Sequence, residues 1–196
     1  ANAPTVAALP AGTRAGINYE AGNTSAVLVL YAPGKNRVSV IGTFPGASWT
    51  EQANFQMSKT PDNNYWWIRV TGLTPGTEYL FQYLVDGQIK IGEPYSEKIL
   101  DPNNDSGIGG TYPNLIPYPS QTTGIVSVLQ TNAPAYTWQV NNFSRPNKQN
   151  LVIYELLVRD FTAAGNFQTL IDTLSYMQRL GVNAIEVMPF NEFEGN

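Results

Sequence analysis

The feature that most constrains the fold is a strand–helix–strand pattern near the C-terminal end of the sequence. Residues 151–158 form an almost unbroken apolar run, and a strand that is apolar on both faces is typical of a parallel sheet covered on both sides. A second apolar run, residues 182–188, ends at Pro189. Between the two runs, apolar residues recur at steps of three and four, as in one stripe of an amphipathic helix: Phe167, Leu170, Ile171, Leu174, Met177 and Leu180.

The ends of this helix are also marked in the sequence. Asn166 directly precedes the apolar stripe and has the side chain of a preferred N-cap. Gly181 directly follows the stripe, where a glycine commonly ends a helix. The short connections to both apolar runs therefore predict a right-handed βαβ unit.

A different pattern occupies the first half of the chain, where short strand-like runs are separated by turn signals. Pro75-Gly76 suits the centre of a type II turn, and Asp86-Gly87 predicts a two-residue hairpin. Repeated short strands without a helical period predict a mainly β fold, an immunoglobulin-like β-sandwich. The runs are residues 17–19, 26–32, 37–43, 55–57, 65–71, 78–85 and 88–91.

The alternation of side chains along these runs assigns one face of each to the core. Val29, Tyr31, Trp67 and Gln82 belong to the opposite faces. The predicted core residues are Leu28, Leu30, Val38, Val40, Trp66, Ile68, Val70, Tyr79, Phe81 and Tyr83.

Three segments follow from these patterns. We expect a sandwich over residues 1–100, a Pro-rich connector over residues 101–150 and the βαβ unit over residues 151–196. Six of the 14 prolines fall between residues 101 and 150, and so long a connector without periodicity is unusual inside a compact domain. We therefore interpret it as a strap, to which residues 126–129 and 136–140 could add short strands.

Composition excludes several classes of function. The chain has no cysteine and no histidine, so disulfides, thiol chemistry, zinc sites and Ser-His triads are excluded. Its net charge is −4 without a basic run, which disfavours nucleic acid as a partner. No apolar run has the length of a membrane span. A charged fraction of only 13% is typical of a secreted, loop-rich protein, so we expect an extracellular or cell-envelope location with the signal peptide removed.

The C-terminal pattern resembles glycoside hydrolase family 13, the α-amylase family. Residues 154–162 (YELLVRDFT) resemble the first strand of that family's (β/α)₈ barrel, and residues 181–189 (GVNAIEVMP) resemble its second strand. Residues 191–196 resemble the segment that follows in bacterial members. Two strands and one helix would make about a quarter of such a barrel, so the resemblance implies a truncated piece of a TIM barrel.

The first half resembles carbohydrate-binding module family 48, the sandwich that precedes the barrel in many of these enzymes. The residues that carry the resemblance are Tyr31-Ala32-Pro33, residues 38–44, Trp49, Trp66 and residues 79–87. The resemblance implies that Trp49 stacks on glucan, whereas Gln88-Ile89 stands where a second tryptophan is expected. Trp67 could rebuild a sugar-binding surface, and Lys90 could match a lysine of glucan-binding members. Packing against the core or another domain is the alternative role for Trp49.

No residue of this chain matches the catalytic carboxylates, which the family carries on its fourth, fifth and seventh barrel strands. Glu155 and Glu186 lie on adjacent predicted strands and could form a carboxylate pair, but structural hydrogen bonding is the alternative that we favour. Asp160, Asn191, Glu192 and Glu194 follow the strands and are candidates for the barrel mouth, where active sites of such barrels lie. We expect no metal or cofactor in this chain, whereas calcium is compatible with a full-length enzyme.

Three functions remain open from the sequence. The chain could be the N-terminal part of an α-glucan-acting hydrolase or transglycosylase with a retaining mechanism, and would then be inactive alone. It could instead be a non-catalytic module that binds starch, glycogen or maltooligosaccharides, or a spacer that only positions the barrel. Because an isolated βαβ unit cannot bury its apolar faces, self-association through it is also expected as one outcome.

Overall fold

The computed structural model describes residues 3–110 and 112–190. These residues form two compact units, which divide between Tyr136 and Thr137. The first unit is an antiparallel β-sandwich, as the alternating runs predict. Its strands in chain order are β1 (Gly16–Tyr19), β2 (Ser25–Tyr31), β3 (Val38–Gly42), β4 (Ser58–Lys59), β5 (Tyr65–Thr71), β6 (Glu78–Val85), β7 (Ile89–Ile91), β8 (Ile99–Leu100) and β9 (Val126–Gln130).

The nine strands make two sheets within the described residues. The first sheet has the order β1-β2-β5-β4, and the second has the order β3-β6-β9-β8 with β7 paired to β6. Short 3₁₀ helices at Ala53–Phe55 and Asp105–Gly107 lie in the loops. Both turn predictions are confirmed. Asp86 and Gly87 have positive φ between the paired strands β6 and β7, and at the predicted type II turn Thr77 N–H donates to Thr74 C=O while Gly76 has positive φ.

The core between the sheets consists of the residues that alternation assigned to it. Of the ten predicted residues, nine are buried, and Ile68 is partly buried against the same cluster. Large aromatic side chains dominate this core: the indole N–H of Trp66 donates to Ala32 C=O at 3.0 Å, and Phe81 packs edge-on against Tyr83. A buried aromatic ring contributes a large apolar area, so these side chains account for much of the stability of the sandwich.

The N-terminal segment runs along the β4 edge of the first sheet and covers part of its outer face. The backbone of residues 5–7 pairs with Lys59 in β4, and the indole N–H of Trp67 donates to Ala7 C=O at 3.1 Å. Val29, which alternation places on this outer face, is only 1% exposed. The sequence pattern alone predicted an outward position for it and did not reveal the cover.

Two parts of the sequence-based prediction differ from the structure. Residues 126–130, assigned to the connector, form β9 inside the second sheet, where Tyr79 pairs with Leu129. The sandwich thus extends beyond the predicted range of 1–100. Residues 55–57 and 136–140 form no strand: Phe55 ends the short 3₁₀ turn, and residues 136–140 are exposed loop.

The second unit contains the predicted strand–helix–strand pattern. A 3₁₀ turn at Lys148–Asn150 precedes β10 (Ile153–Leu156), the one-turn helix α1 (Val158–Phe161), α2 (Phe167–Arg179) and β11 (Ala184–Val187). β10 and β11 pair in parallel. The Asn166 side chain accepts from Thr169 N–H at 3.0 Å, and Gly181 follows the helix with φ +85°, so both helix ends are as predicted.

A small apolar cluster joins α2 to the two strands. Its buried members are Leu156, Val158, Leu170 and Met177. The remaining stripe residues of α2 are exposed, with Ile171 55% and Leu174 42% accessible. Four of the six apolar residues in the stripe that predicted this helix are therefore exposed in the described part of the second unit.

Candidate carbohydrate-contact site

Trp49 lies in the loop after β3, on the outer face of the second sheet. The loop is fixed by the hydrogen bond from Gly42 N–H to Ser48 C=O at 2.9 Å. The indole is partly buried and packs against an outer cluster whose buried members are Leu80, Leu100, Val126 and Val128. Trp49 is therefore a packed side chain that retains some exposed surface, and the predicted sugar contact would have to use that remaining part.

Much of the same face is covered by residues 115–125, which we call the covering segment. Leu115, Ile116 and Tyr118 pack on the outer cluster, and the Tyr118 hydroxyl donates to Gly124 C=O at 2.7 Å. This part of the predicted connector is thus a strap that lies on the sandwich itself. The segment excludes solvent, and any ligand, from that part of the sheet.

The covering segment is attached by a buried amide. Gln82, which projects outward from the middle of β6, is 0% exposed. Its Nε2 donates to Thr123 C=O at 2.9 Å and to Ile125 C=O at 2.8 Å, and its Oε1 accepts from the Thr122 hydroxyl at 2.6 Å. Every hydrogen bond that this amide makes goes to the covering segment, so Gln82 links the segment to the sheet.

The three residues predicted to bind carbohydrate are not brought together. Lys90 in β7 lies on the side of the second sheet that carries Gln82, and its Nζ donates to the Thr122 hydroxyl at 3.0 Å. Trp67 lies on the outer face of the first sheet, half-buried under the N-terminal segment. Trp49 and Lys90 thus share one face, whereas Trp67 belongs to the other sheet. The assignment of all three to sugar binding stays a prediction.

A cleft that sequence reasoning missed lies at the β1 end of the sandwich. It has a volume of about 380 Å³ and is lined by Arg14, Gly16, Tyr19, Tyr95 and Glu97, among others. Burial and, after it, the Glu97 carboxylate raise the pKa of Tyr19, while interaction with the Gln130 backbone opposes this. The sequence carries no local signal for this cleft, because its two tyrosines lie on segments far apart in the chain.

The three described candidate carboxylates of the second unit, Glu155, Asp160 and Glu186, are exposed. Glu155 and Glu186 are register partners on β10 and β11, as predicted from the adjacent strands, and both are exposed. Arg159 Nε donates to Asp160 Oδ1 at 2.8 Å, and this hydrogen bond lowers the pKa of Asp160. The other barrel-mouth candidates, Asn191, Glu192 and Glu194, lie outside the described residues.

Residues 3–110 and 112–190 contain neither a candidate metal site nor a candidate membrane span. No group of three or more Asp and Glu side chains in these ranges could hold a metal ion. No helix in the same ranges combines the length and apolarity needed to cross a bilayer.

Comparison with known families gives one match, which covers most of the sandwich. The sequence profile of carbohydrate-binding module 48, described as the isoamylase N-terminal domain, matches residues 14–103. That range includes Trp49, Lys90 and both tyrosines of the cleft. It ends before the covering segment and β9, which the structure adds to the same unit.

Relatives and solved structures extend the match to most of the chain. A malto-oligosyltrehalose trehalohydrolase of Saccharolobus solfataricus is 33% identical over 110 residues, which are 55% of this chain and 18% of that protein. A 1,4-alpha-glucan branching enzyme of Cupriavidus pinatubonensis is 28% identical over 178 residues, 83% of this chain and 22% of that protein. A glycogen-degrading pneumococcal virulence factor has a similar fold over 90% of this chain and 19% of that chain, with a TM-score of 0.63 and 21% identity.

The relatives are much longer than this chain. They are enzymes of glycoside hydrolase family 13, and the match falls on their N-terminal part. The chain spans about a fifth of the length of the curated relatives that it matches.

Proposed function

Residues 14–103 belong to the carbohydrate-binding module 48 family, and from that premise we propose that this chain is the N-terminal part of an enzyme of the α-amylase family that acts on α-glucans. In this proposal the sandwich positions a (β/α)₈ barrel, of which β10, α2 and β11 are the first elements. Starch, glycogen and maltooligosaccharides are the proposed substrates. The family match supports the substrate class, and the second unit supports the barrel.

The observation that carries the proposal is the incomplete cover of the parallel sheet in the second unit. Alternation and the register place Ile153, Glu155 and Glu186 on the face of the sheet opposite to Leu156, which packs with α2. Ile153 is 55% exposed. Parallel sheets are normally covered on both faces and contain more than two strands. Further strands beside β10 and β11 would bury these residues, as the closed sheet of a barrel does.

The structure of the sandwich supports a positioning role over glucan binding on the outer face of the second sheet. Trp49 packs against the outer cluster, and the covering segment is held there by Gln82. A ligand would gain little contact area from a ring that is already packed, because stacking requires an accessible ring face. Any glucan contact of this module would therefore fall elsewhere on its surface or on the exposed part of Trp49.

The proposal assigns the chemistry to residues outside this chain. No position here matches the three carboxylates of the family, so the 196-residue chain should not hydrolyse glucans by itself. In the complete enzyme a retaining mechanism would pass through a covalent glycosyl-enzyme. Glu155 and Glu186 have no assigned catalytic role in this scheme.

The test is an activity assay on the full-length protein that contains this segment, with the 196-residue chain as its matched control. We expect the full-length protein to hydrolyse or transfer the glucosyl chains of glycogen, pullulan or maltoheptaose, and to leave cellulose unchanged. New reducing ends or altered chain lengths would report this activity. The chain alone, with its mass confirmed, should act on none of them. A full-length protein inactive on every α-glucan, or hydrolysis by the chain alone, would overturn the proposal.

A further inference from the structure

The cleft between Tyr19 and Tyr95 has the volume of a small-ligand site. Its volume of about 380 Å³ lies within the roughly 300–1,000 Å³ that is usual for such sites. Tyr19 is 45% exposed and Tyr95 is 68% exposed. Two large rings thus keep accessible surface at one cleft.

One wall of the cleft is fixed by the side chain of Asn18. Its Oδ1 accepts from Arg14 N–H at 3.0 Å, and its Nδ2 donates to Arg14 C=O at 2.8 Å and to Gly16 C=O at 3.2 Å. Gly16 has φ +103°, and a Cβ added to it would lie 3.1 Å from the Cβ of Tyr95. The backbone of this wall is therefore held in place, and the glycine lets Tyr95 approach it closely.

The opposite wall is fixed by a buried carboxylate. Glu93 is 3% exposed, and its Oε1 accepts from Tyr95 N–H at 2.9 Å. The backbone of Ser96 donates to Glu93 C=O at 3.1 Å, which closes a turn under Tyr95. Both walls are thus preorganised, which lowers the entropic cost of binding a ligand between them.

The charges at the cleft suit a neutral ligand that is rich in hydroxyl groups. Arg14 supplies several N–H donors and Glu97 supplies two acceptor oxygens. Both are exposed, and neither belongs to an ion pair among residues 3–110 and 112–190. One positive and one negative group balance each other, which disfavours an anionic ligand. Hydroxyl groups can accept from the guanidinium and donate to the carboxylate at once.

We infer that the cleft between Tyr19 and Tyr95 binds a short stretch of α-glucan, with the tyrosine rings against the apolar faces of glucose units and Arg14 and Glu97 on their hydroxyls. The inference rests on the proposed function for the choice of glucan. It assigns the glucan contact of the module to a surface that does not involve Trp49. The cleft would hold substrate chains on the sandwich without taking part in the chemistry.

The test is a titration of the ¹⁵N-labelled 196-residue chain with maltoheptaose, followed by NMR. We expect the amide shifts to change around residues 14–19 and 93–97, and Tyr95→Ala to raise Kd about tenfold, as truncation of an aromatic contact commonly does. Tyr95→Ala should fold, because the side chain is mostly exposed. The matched control is Tyr31→Ala, which removes another exposed tyrosine (58%), in β2 and outside the lining of the cleft, and should leave Kd unchanged.

The outcomes separate this inference from the proposed function. Equal affinity in Tyr95→Ala and the parent chain, loss of binding only in Trp49→Ala, or no maltoheptaose binding at all would each overturn the assignment of the cleft. None of these outcomes bears on the activity of the full-length protein on α-glucans, because the hydrolysis assay measures that activity independently.

Discussion

The Tyr83 hydroxyl in β6 donates a hydrogen bond of 2.5 Å to Oε2 of Glu93 in the loop after β7, and both side chains are buried. Burial, the largest influence, raises the pKa of Glu93 above its ordinary value of 4.5, and the hydrogen bonds from Tyr83 and from Tyr95 N–H oppose it. The pair connects the aromatic core to the loop that carries Tyr95. The protonation of one carboxyl is therefore coupled to the stability of that loop.

Replacement of Glu93 by glutamine should change how stability depends on pH. Because the pKa of Glu93 is raised by folding, the native state holds the proton more tightly, and this stabilisation is complete below pH 4.5 and lost as pH rises through the folded-state pKa. We expect the free energy of unfolding of the parent chain, relative to Glu93→Gln, to fall as pH rises from 4.5 to 8. Urea denaturation at several pH values measures this difference, and a constant difference would contradict it.

Tyr83→Phe provides the complementary variant, because it removes a hydrogen bond that stabilises the carboxylate. The loss should raise the pKa of Glu93 further and should cost about 1–3 kcal/mol where the carboxyl is ionised. The destabilisation should therefore be greater at pH 8 than at pH 4.5. The opposite order would show that the Tyr83 hydroxyl does not support the charged form of Glu93.

Gln82→Leu should release the covering segment from the sandwich. The substitution removes three hydrogen bonds to residues 122–125, and the C=O groups of Thr123 and Ile125 lose the donor that Gln82 supplies, at a cost of about 2–4 kcal/mol. Hydrogen exchange of residues 115–125 should accelerate more than exchange in β2. The matched control is Gln130→Leu, whose Nε2 makes one exposed hydrogen bond to Gly76 C=O. Equal effects of the two substitutions would contradict this role of Gln82.

Gly42→Ala should destabilise the loop that carries Trp49. A Cβ at Gly42 would lie 2.1 Å from Leu80 C=O and 2.8 Å from Phe81 Cα, both backbone atoms of the paired strand β6. Relief requires β3 and β6 to separate, so we expect a cost of about 3 kcal/mol in thermal or chemical denaturation. Gly109→Ala is the control, because nothing lies within 4 Å of its added Cβ. A similar small loss of stability for both substitutions would show that β3 and β6 accommodate the added Cβ.

Local sequence patterns predicted which segments form strands and helices better than they predicted which strands pair with one another. Strand-like apolar runs identified β2, β5 and β6. Alternation in β5 and β6 identified residues of the inner core, since burial on one face leaves a period of two in the sequence. The sequence of β9 has the same alternation, with Ser127 and Leu129 on the core side. Its membership in the sheet depends on a pairing with Glu78–Phe81 about 50 residues away, which no local signal encodes.

The candidate site residues show the same limit, because local sequence patterns do not predict contacts with distant segments. Trp49 was identified from its motif, but its packing depends on the covering segment, which is remote in sequence. Gln82 was predicted to lie outside the core, and it does, yet it is fully buried because the covering segment supplies its partners. Tyr19 and Tyr95 come together only because the end of β1 lies against the loop after β7. Contacts of this kind arise from topology and not from local pattern.

Ile171→Asp tests the larger sheet proposed for the second unit. In the 196-residue chain Ile171 is 55% exposed, whereas its neighbour Leu170 is 6% exposed, so we expect the substitution to cost less than about 1 kcal/mol, as is usual at an exposed position. In the full-length protein, helices that pack beside α2 would bury Ile171. The same substitution should then cost about 2–4 kcal/mol, because a charge replaces a packed apolar side chain.

The informative quantity is the difference between the cost of Ile171→Asp in the 196-residue chain and its cost in the full-length protein. Hydrogen exchange in α2 measures this cost in both proteins. Ser175→Asp, at an exposed polar position of the same helix, controls for added negative charge and should have a small effect in both proteins. Leu170→Asp should unfold α2 in both, because Leu170 belongs to the buried cluster of the second unit. If Ile171→Asp is equally mild in the full-length protein, the exposed stripe of α2 stays in solvent and does not pack into a barrel.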